Sequence, residues 1–278
     1  MSRLSDAFAA ARAEDRALLI GYLPAGFPSY DGGVAAITAM VEGGVDIVEV
    51  GLPYSDPMMD GPVIQAAVDQ ALRGGVRIAD VMRTVSAVAA LGVPTLVMSY
   101  WNPIERYGIE RFATDLAAAG GVGVITPDLI PDEAAEWLAA VDKAGIDPIF
   151  LTAPSSTDER LKVVAEVGRG FLYAASTMGI TGTRDQVGAR AGELVARMRA
   201  VTDTPIAVGL GVGTGSQAAQ VAGYADGVIV GSAFVRRILD ASSERAGLAE
   251  VRALAAELAD GVRQRHHDKT PGVHAAPN

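Results

Sequence analysis

Glu49 stands inside the apolar run Val45–Leu52, flanked by Val48 and Val50. A carboxylate in such a run is costly unless it is paired or protonated. One reading is an interior salt bridge. The other is an acid–base group, because desolvation raises a carboxyl pKa toward neutrality and lets it carry a proton there. Two more carboxylates, Asp56 and Asp60, lie four apart in the stiff loop PYSDPMMDGP, which reads either as a solvated turn or as part of a site. Tyr173 lies in GFLYAAS, where a tyrosine is either core or a polar group at a strand end. Gly209, Gly211, Gly213 and Gly215 alternate through VGLGVGTG, and Gly231-Ser232 precede the helical pattern AFVRRIL. Glycines let a backbone approach an anion, and Ser232 reads as an N-cap at a helix end that attracts negative charge. Together these glycine-rich ends point to a phosphate.

What is missing narrows the chemistry further. The 278 residues contain no cysteine and three histidines, His266, His267 and His274, all near the C-terminal end. The body therefore has no thiol nucleophile, disulfide, zinc cluster or Ser-His-Asp triad, and no metal site is expected. Only Lys143, Lys162 and Lys269 are lysines, and neither Lys143 nor Lys162 falls at the end of a strand. Acid–base work is left to Asp, Glu, Tyr, Lys or Arg. The net charge of −10 opposes nucleic-acid binding and gives no attraction to an anionic membrane.

These groups need a scaffold. Apolar runs at 17–23, 45–52, 94–100, 121–129, 147–153, 170–176, 205–212 and 226–232 alternate with helical patterns. Most are continuous, as expected of parallel strands covered on both faces. Eight repeats of strand and helix predict an α/β fold, a single (β/α)8 TIM barrel over residues 1–262, with 263–278 as a flexible tail. A doubly wound open sheet is the alternative, but no phosphate-binding glycine fingerprint follows the first strand. The units after the second and sixth strands are the longest, which predicts enlarged loops near 51–62 and 176–186 at the C-terminal face, where barrel active sites lie. An extra N-terminal helix over Leu4–Arg12 would plug the bottom with Leu4, Phe8 and Ala11. Ser242–Asp260 reads as the closing helix. The charged N-terminal segment lacks the apolar core of a signal peptide, and Gly92-Val93-Pro94 interrupts the longest apolar stretch, so the expected location is the cytoplasm.

Taken in order, these features resemble the α subunit of tryptophan synthase over about residues 4 to 262. The resemblance rests on LIGYLPAGFP, DIVEVGLPYSDPMMDGPVIQ, SYWNPI, PDLIPDEA, FLYAASTMGITGTR and the glycine-rich ends of the last two strands. It implies retro-aldol cleavage of indole-3-glycerol phosphate to indole and glyceraldehyde 3-phosphate. Glu49 matches the family's acid–base glutamate, Asp60 the aspartate facing the indole nitrogen, and Tyr173 the tyrosine beside the cleaved bond. Tyr22 and Tyr100 match the indole pocket, and Thr181 the threonine of the closing loop. Gly182, Gly211, Gly231 and Ser232 match phosphate contacts, with Leu210 beside them. Phe27 departs from a common Asp, Ile130 from a common Pro, and Thr177-Met178 from a common Arg-Ala type pair. The resemblance also implies a pyridoxal-phosphate β subunit in an αββα heterotetramer. This chain would hold no cofactor. Pro53, Asp56, Pro57 and Asn102 are expected to face that partner. Two other readings keep the barrel: a sugar-phosphate isomerase or indole-glycerol-phosphate-forming enzyme, which in the forming case wants a strand-end lysine, and a ligand-sensing activator of a partner.

Overall fold

The structure is a computed structural model and describes residues 2–175, 184–209 and 211–264. In chain order the elements are α1 (Arg3–Ala13), β1 (Leu18–Pro24), α2 (Tyr30–Glu42), β2 (Ile47–Gly51), α3 (Pro62–Arg73), α4 (Ile78–Ala89), β3 (Thr95–Met98), α5 (Trp101–Tyr107), α6 (Ile109–Ala118), β4 (Gly123–Thr126), a 3-10 turn (Pro131–Glu133), α7 (Ala135–Ala144), β5 (Asp147–Thr152), α8 (Asp158–Val167), β6 (Leu172–Ala175), α9 (Arg184–Arg199), β7 (Ile206–Gly209), α10 (Gly215–Ala222), β8 (Gly227–Val230), α11 (Ser232–Leu239) and α12 (Glu244–Arg263). The eight strands pair in sequence order, all parallel, and β8 closes on β1. The expected (β/α)8 barrel is therefore the fold.

Strand alternation builds two cores. Leu18, Ile20, Ile47, Leu96, Ile125, Ile149, Phe171, Ala207 and Ile229 face inward and pack together. Leu19, Val48, Val50, Val97, Val124 and Val208 face outward beneath the helices. The inner core is sealed below by α1, whose Leu4, Phe8 and Ala11 are buried, with the Phe8 ring 5.6 Å from Phe171. This is the plug that the sequence suggests. Phe27 is fully buried in the outer core. Ile130 is exposed, at 41%.

The helix starts are set by local chemistry. Ser29, Thr157, Thr214 and Ser243 side chains accept from backbone N–H groups of α2, α8, α10 and α12. Pro62 opens α3, where its missing N–H costs nothing. The long unit after β2 has two sources: the loop from Leu52 to Gly61, and a second helix, since both α3 and α4 precede β3. After β6, residues 176–183 lie outside the described residues, and Arg184 already belongs to the 16-residue α9. The closing helix α12 runs to Arg263, past the expected end at Asp260. Most of the tail, with its three histidines, lies outside the described residues.

Candidate active site

Parity places Glu49. Ile47 faces inward, so Glu49 and Gly51 do too, while Val48 and Val50 face the helices. Glu49 is 1% exposed, and its Oε1 has no hydrogen-bond partner among the described residues. Among the described residues no cation compensates it, and burial raises its pKa from the ordinary 4.5 to about 8. The interior salt bridge considered from sequence is therefore not formed among the described residues. A buried acid that titrates near neutrality remains.

Three tyrosines and Asp60 ring the mouth above it. Tyr22 is the register partner of Glu49 on β1. Tyr173 packs on the inner core from β6. Burial raises both phenols, and the nearby carboxylates add to it: Asp60 then Glu49 for Tyr22, Glu49 for Tyr173. Tyr100, directly after β3, donates its O–H to Asp60 Oδ1 at 3.2 Å and accepts the Met59 N–H at 2.9 Å. Burial raises the Asp60 pKa, and the Tyr100 hydrogen bond works against that rise. Burial pushes Tyr100 itself up to about 12. Gln65 binds the Asp60 carbonyl at 2.7 Å, and the Tyr54 ring lies 5.5 Å from Tyr100. The loop that carries Asp60 is thus tied down at several points.

Glycine makes room for these rings. A Cβ on Gly51 would lie 2.3 Å from the Tyr22 hydroxyl, and one on Gly209 would lie 2.3 Å from the Tyr173 hydroxyl. A Cβ on Gly231 would meet the Tyr22 ring at 3.0 Å. Met98 and Leu151 sit partly buried against the inner core near the strand ends and supply apolar wall. Sequence reasoning passed over these two, although their parity with Leu96 and Ile149 marks them as inward. It also passed over Asp128, whose Oδ1 accepts the Trp101 N–H at 2.9 Å and fixes the start of α5 beside Tyr100.

The glycine run after β7 divides its labour. The Gly213 N–H is held by Gln217 Oε1 at 2.9 Å, and the Gly215 N–H by Glu257 Oε1 at 2.7 Å. Gly211 has φ +65°, is exposed, and has open space where a Cβ would be. α11 begins directly after β8, the strand beside β7. Ser232 is its first helical residue rather than its N-cap: Gly231 holds the cap position, and no side chain caps this end. The Ser232 hydroxyl is thereby left for other contacts. Gly211 after β7 and Gly231 with the α11 N-terminus after β8 thus follow adjacent strands, and a helix N-terminus favours negative charge. Thr181, Gly182 and Leu210 lie outside the described residues.

Comparison with known proteins accords with this geometry. The family model described as tryptophan synthase alpha chain matches residues 8–263. The chain belongs to the tryptophan synthase alpha chain family. It is 63% identical over 267 residues to the alpha chain of Salinispora arenicola, covering 96% of this chain and 100% of that one. It is 63% identical over 261 residues to that of Streptomyces coelicolor, covering 94% and 96%. Among solved structures, it resembles the aminoacrylate-bound tryptophan synthase of M. tuberculosis, with TM-score 0.87, 55% identity, and 94% and 100% covered. The alpha subunit of Legionella pneumophila retains a TM-score of 0.86 at 32% identity, with 94% and 98% covered. The family's reaction is the cleavage of indole-3-glycerol phosphate, a carbon–carbon lyase step, and this chain carries it out. Pyridoxal phosphate belongs to the β subunit of the family and not to this chain.

Proposed function

We propose that Glu49, Asp60 and Tyr173 carry the chemistry of this cleavage, with Tyr22 and Tyr100 walling the indole and Gly211, Gly231 and Ser232 holding the phosphate. Thr181, Gly182 and Leu210 complete that assignment by resemblance. The observation that carries it is the buried Glu49 carboxyl in the middle of β2, facing inward, its pKa raised by burial to about 8 and its Oε1 without a partner among the described residues.

The substrate supplies its own electron sink, so neither a metal nor a lysine is needed. Glu49 gives its proton to C3 of the indole, forming an indoleninium whose ring nitrogen is positive. Asp60, held by Tyr100, accepts the ring N–H and stabilises that charge. The bond from C3 to the glycerol carbon then breaks, and its electrons restore the aromatic ring. The hydroxyl on that carbon becomes the aldehyde, and its proton returns to Glu49. One carboxyl thus acts as acid and then as base, ending as it began. Tyr173 stands beside the breaking bond.

General acid–base catalysis is worth about 10²–10⁴-fold. Glu49→Gln keeps the shape and removes the proton, so indole release should fall by at least about 100-fold. A variant within threefold of wild type would refute the assignment.

The partner is the β subunit, to which indole is passed. We place the contact on the exposed Asp56, the half-buried Pro57 and the exposed Asn102, in an αββα assembly. Pro53 belongs to the same loop but is buried, lining a cavity of about 210 Å³ with Leu52, Val76, Arg77, Ile78, Val81 and Pro103. It shapes the contact from beneath. Among the described residues no helix is long and apolar enough to cross a membrane. We place the reaction in the cytoplasm, as the family's bacterial members suggest.

A further inference from the structure

Proton transfer from Glu49 leaves a carboxylate in one of the least solvated places of the barrel, and something must stabilise it. The groups around Glu49 are Tyr22 from the neighbouring β1, Tyr173 from β6 on the opposite side of the barrel and, after β2 itself and the neighbouring β3, Asp60 and Tyr100, both of which act on Tyr22. Among the described residues no Lys, Arg or His acts on it. Among the described residues around it, the phenols are the groups placed to donate to the new charge.

The three phenols are not equivalent. Tyr100 is engaged with Asp60 and Met59. The Tyr173 hydroxyl leans onto β7, occupying the space over Gly209. The Tyr22 hydroxyl leans onto β2, occupying the space over Gly51, two residues beyond Glu49 on the same face. It also starts from the residue that pairs with Glu49 in register. It makes no hydrogen bond among the described residues. The unpartnered Oε1 of Glu49 and the unpartnered phenol of Tyr22 therefore share one side of the mouth.

We propose that Tyr22 is a positioning residue that acts through Glu49, its O–H donating to the carboxylate formed when Glu49 protonates the indole. This rests on the reading of Glu49 as the proton carrier. Tyr22 keeps its own proton throughout, so it supplies a hydrogen bond and no proton. Gly51 is required because a side chain there would take the hydroxyl's place, and Gly231 because it bears on the same ring. Hydrogen bonds to ionised groups are among the stronger ones in proteins, and losing this one is expected to cost about tenfold or more.

The test is Tyr22→Phe, which keeps the ring packed against Gly231 and removes only the hydroxyl. Indole release is measured with the intact chain, alone and with the β subunit, from pH 6 to 10. In parallel, the protonated-carboxyl infrared band of Glu49, assigned by its loss in Glu49→Gln, is titrated without substrate. The expected result is a kcat lower by about tenfold, a KM within about threefold, and an alkaline limb and carboxyl titration both moved up by about one pH unit. A raised KM with an unmoved titration would mean that the ring merely shapes the pocket, and would overturn the inference. An unmoved titration with unchanged kcat would overturn it as well. Glu49→Gln separates the two readings. If it is active, the Glu49 assignment falls and takes this inference with it. If it is inactive while Tyr22→Phe titrates like wild type, only the Tyr22 inference falls.

Discussion

Tyr100 holds Asp60 from both sides: its hydroxyl donates to Asp60 Oδ1 at 3.2 Å and accepts the N–H of the preceding residue, Met59, at 2.9 Å. One phenol therefore sets both the direction of the carboxylate and the path of the backbone that carries it. Tyr100→Phe removes both bonds but keeps the ring. Each is worth about 0.5–1.5 kcal/mol. The expected outcome is a kcat/KM lower by about 5- to 150-fold, read by steady-state indole release. Unchanged kinetics would show that Asp60 is placed by the loop alone.

Activity should depend on Glu49 being protonated at the outset. Its pKa of about 8 arises from burial. kcat/KM for cleavage is expected to be level near neutrality and to fall about tenfold per pH unit above about 8. A profile that rises through that region would mean that the ionised form starts the reaction.

The same burial has a signed effect on stability. Folding lifts Glu49 from 4.5 to about 8, so between those values the folded chain holds a proton that the unfolded chain has lost. Stability from this group is present below about pH 4.5 and is lost as pH rises through 8. Glu49→Gln removes the dependence. The variant should gain on the order of 1–4 kcal/mol relative to wild type between pH 5 and pH 8.5. Denaturant titrations at the two pH values provide the comparison, and a constant difference would contradict it.

Gly209→Ala places a methyl 2.3 Å from the Tyr173 hydroxyl and 2.9 Å from the ring carbon that bears it. The ring must move out of the mouth. We expect a loss of at least about tenfold in kcat and a lower melting temperature, with the melting temperature partly restored when Tyr173→Phe is added, because the worst contact then disappears. Thermal melts of the single and double variants decide this, and the absence of any recovery would point to a backbone cause instead.

The Ser232 hydroxyl does not cap its helix, which begins at Ser232 itself with Gly231 before it. Ser232→Ala should therefore leave the melting temperature within about 2 °C, in line with a site outside the core. It should raise KM for the phosphate substrate about 3- to 10-fold and weaken inhibition by inorganic phosphate. A large drop in melting temperature would restore the capping role.

Most of the barrel was legible along the chain. Eight apolar runs and their spacing follow from local rules, because strand parity involves residues only a few positions apart. So did Glu49, since a lone acid between valines is conspicuous in any apolar run. The absence of His and Cys from the body, and of a strand-end Lys, already left acid–base work to Asp, Glu, Tyr, Lys or Arg and gave no Schiff-base lysine at a strand end.

The tertiary structure decided what depends on neighbours far apart in sequence. It split the run 209–215 into one glycine that clears a tyrosine, two whose N–H groups Gln217 and Glu257 occupy, and Gly211, which stays open. It moved Ser232 from cap to first helical residue, and it buried Pro53 while leaving Asp56 and Asn102 exposed. It set the Tyr22 hydroxyl over Gly51 and the Tyr173 hydroxyl over Gly209. These outcomes turn on which strand lies beside which, and on the few ångströms between side chains there, which only closing the barrel brings about.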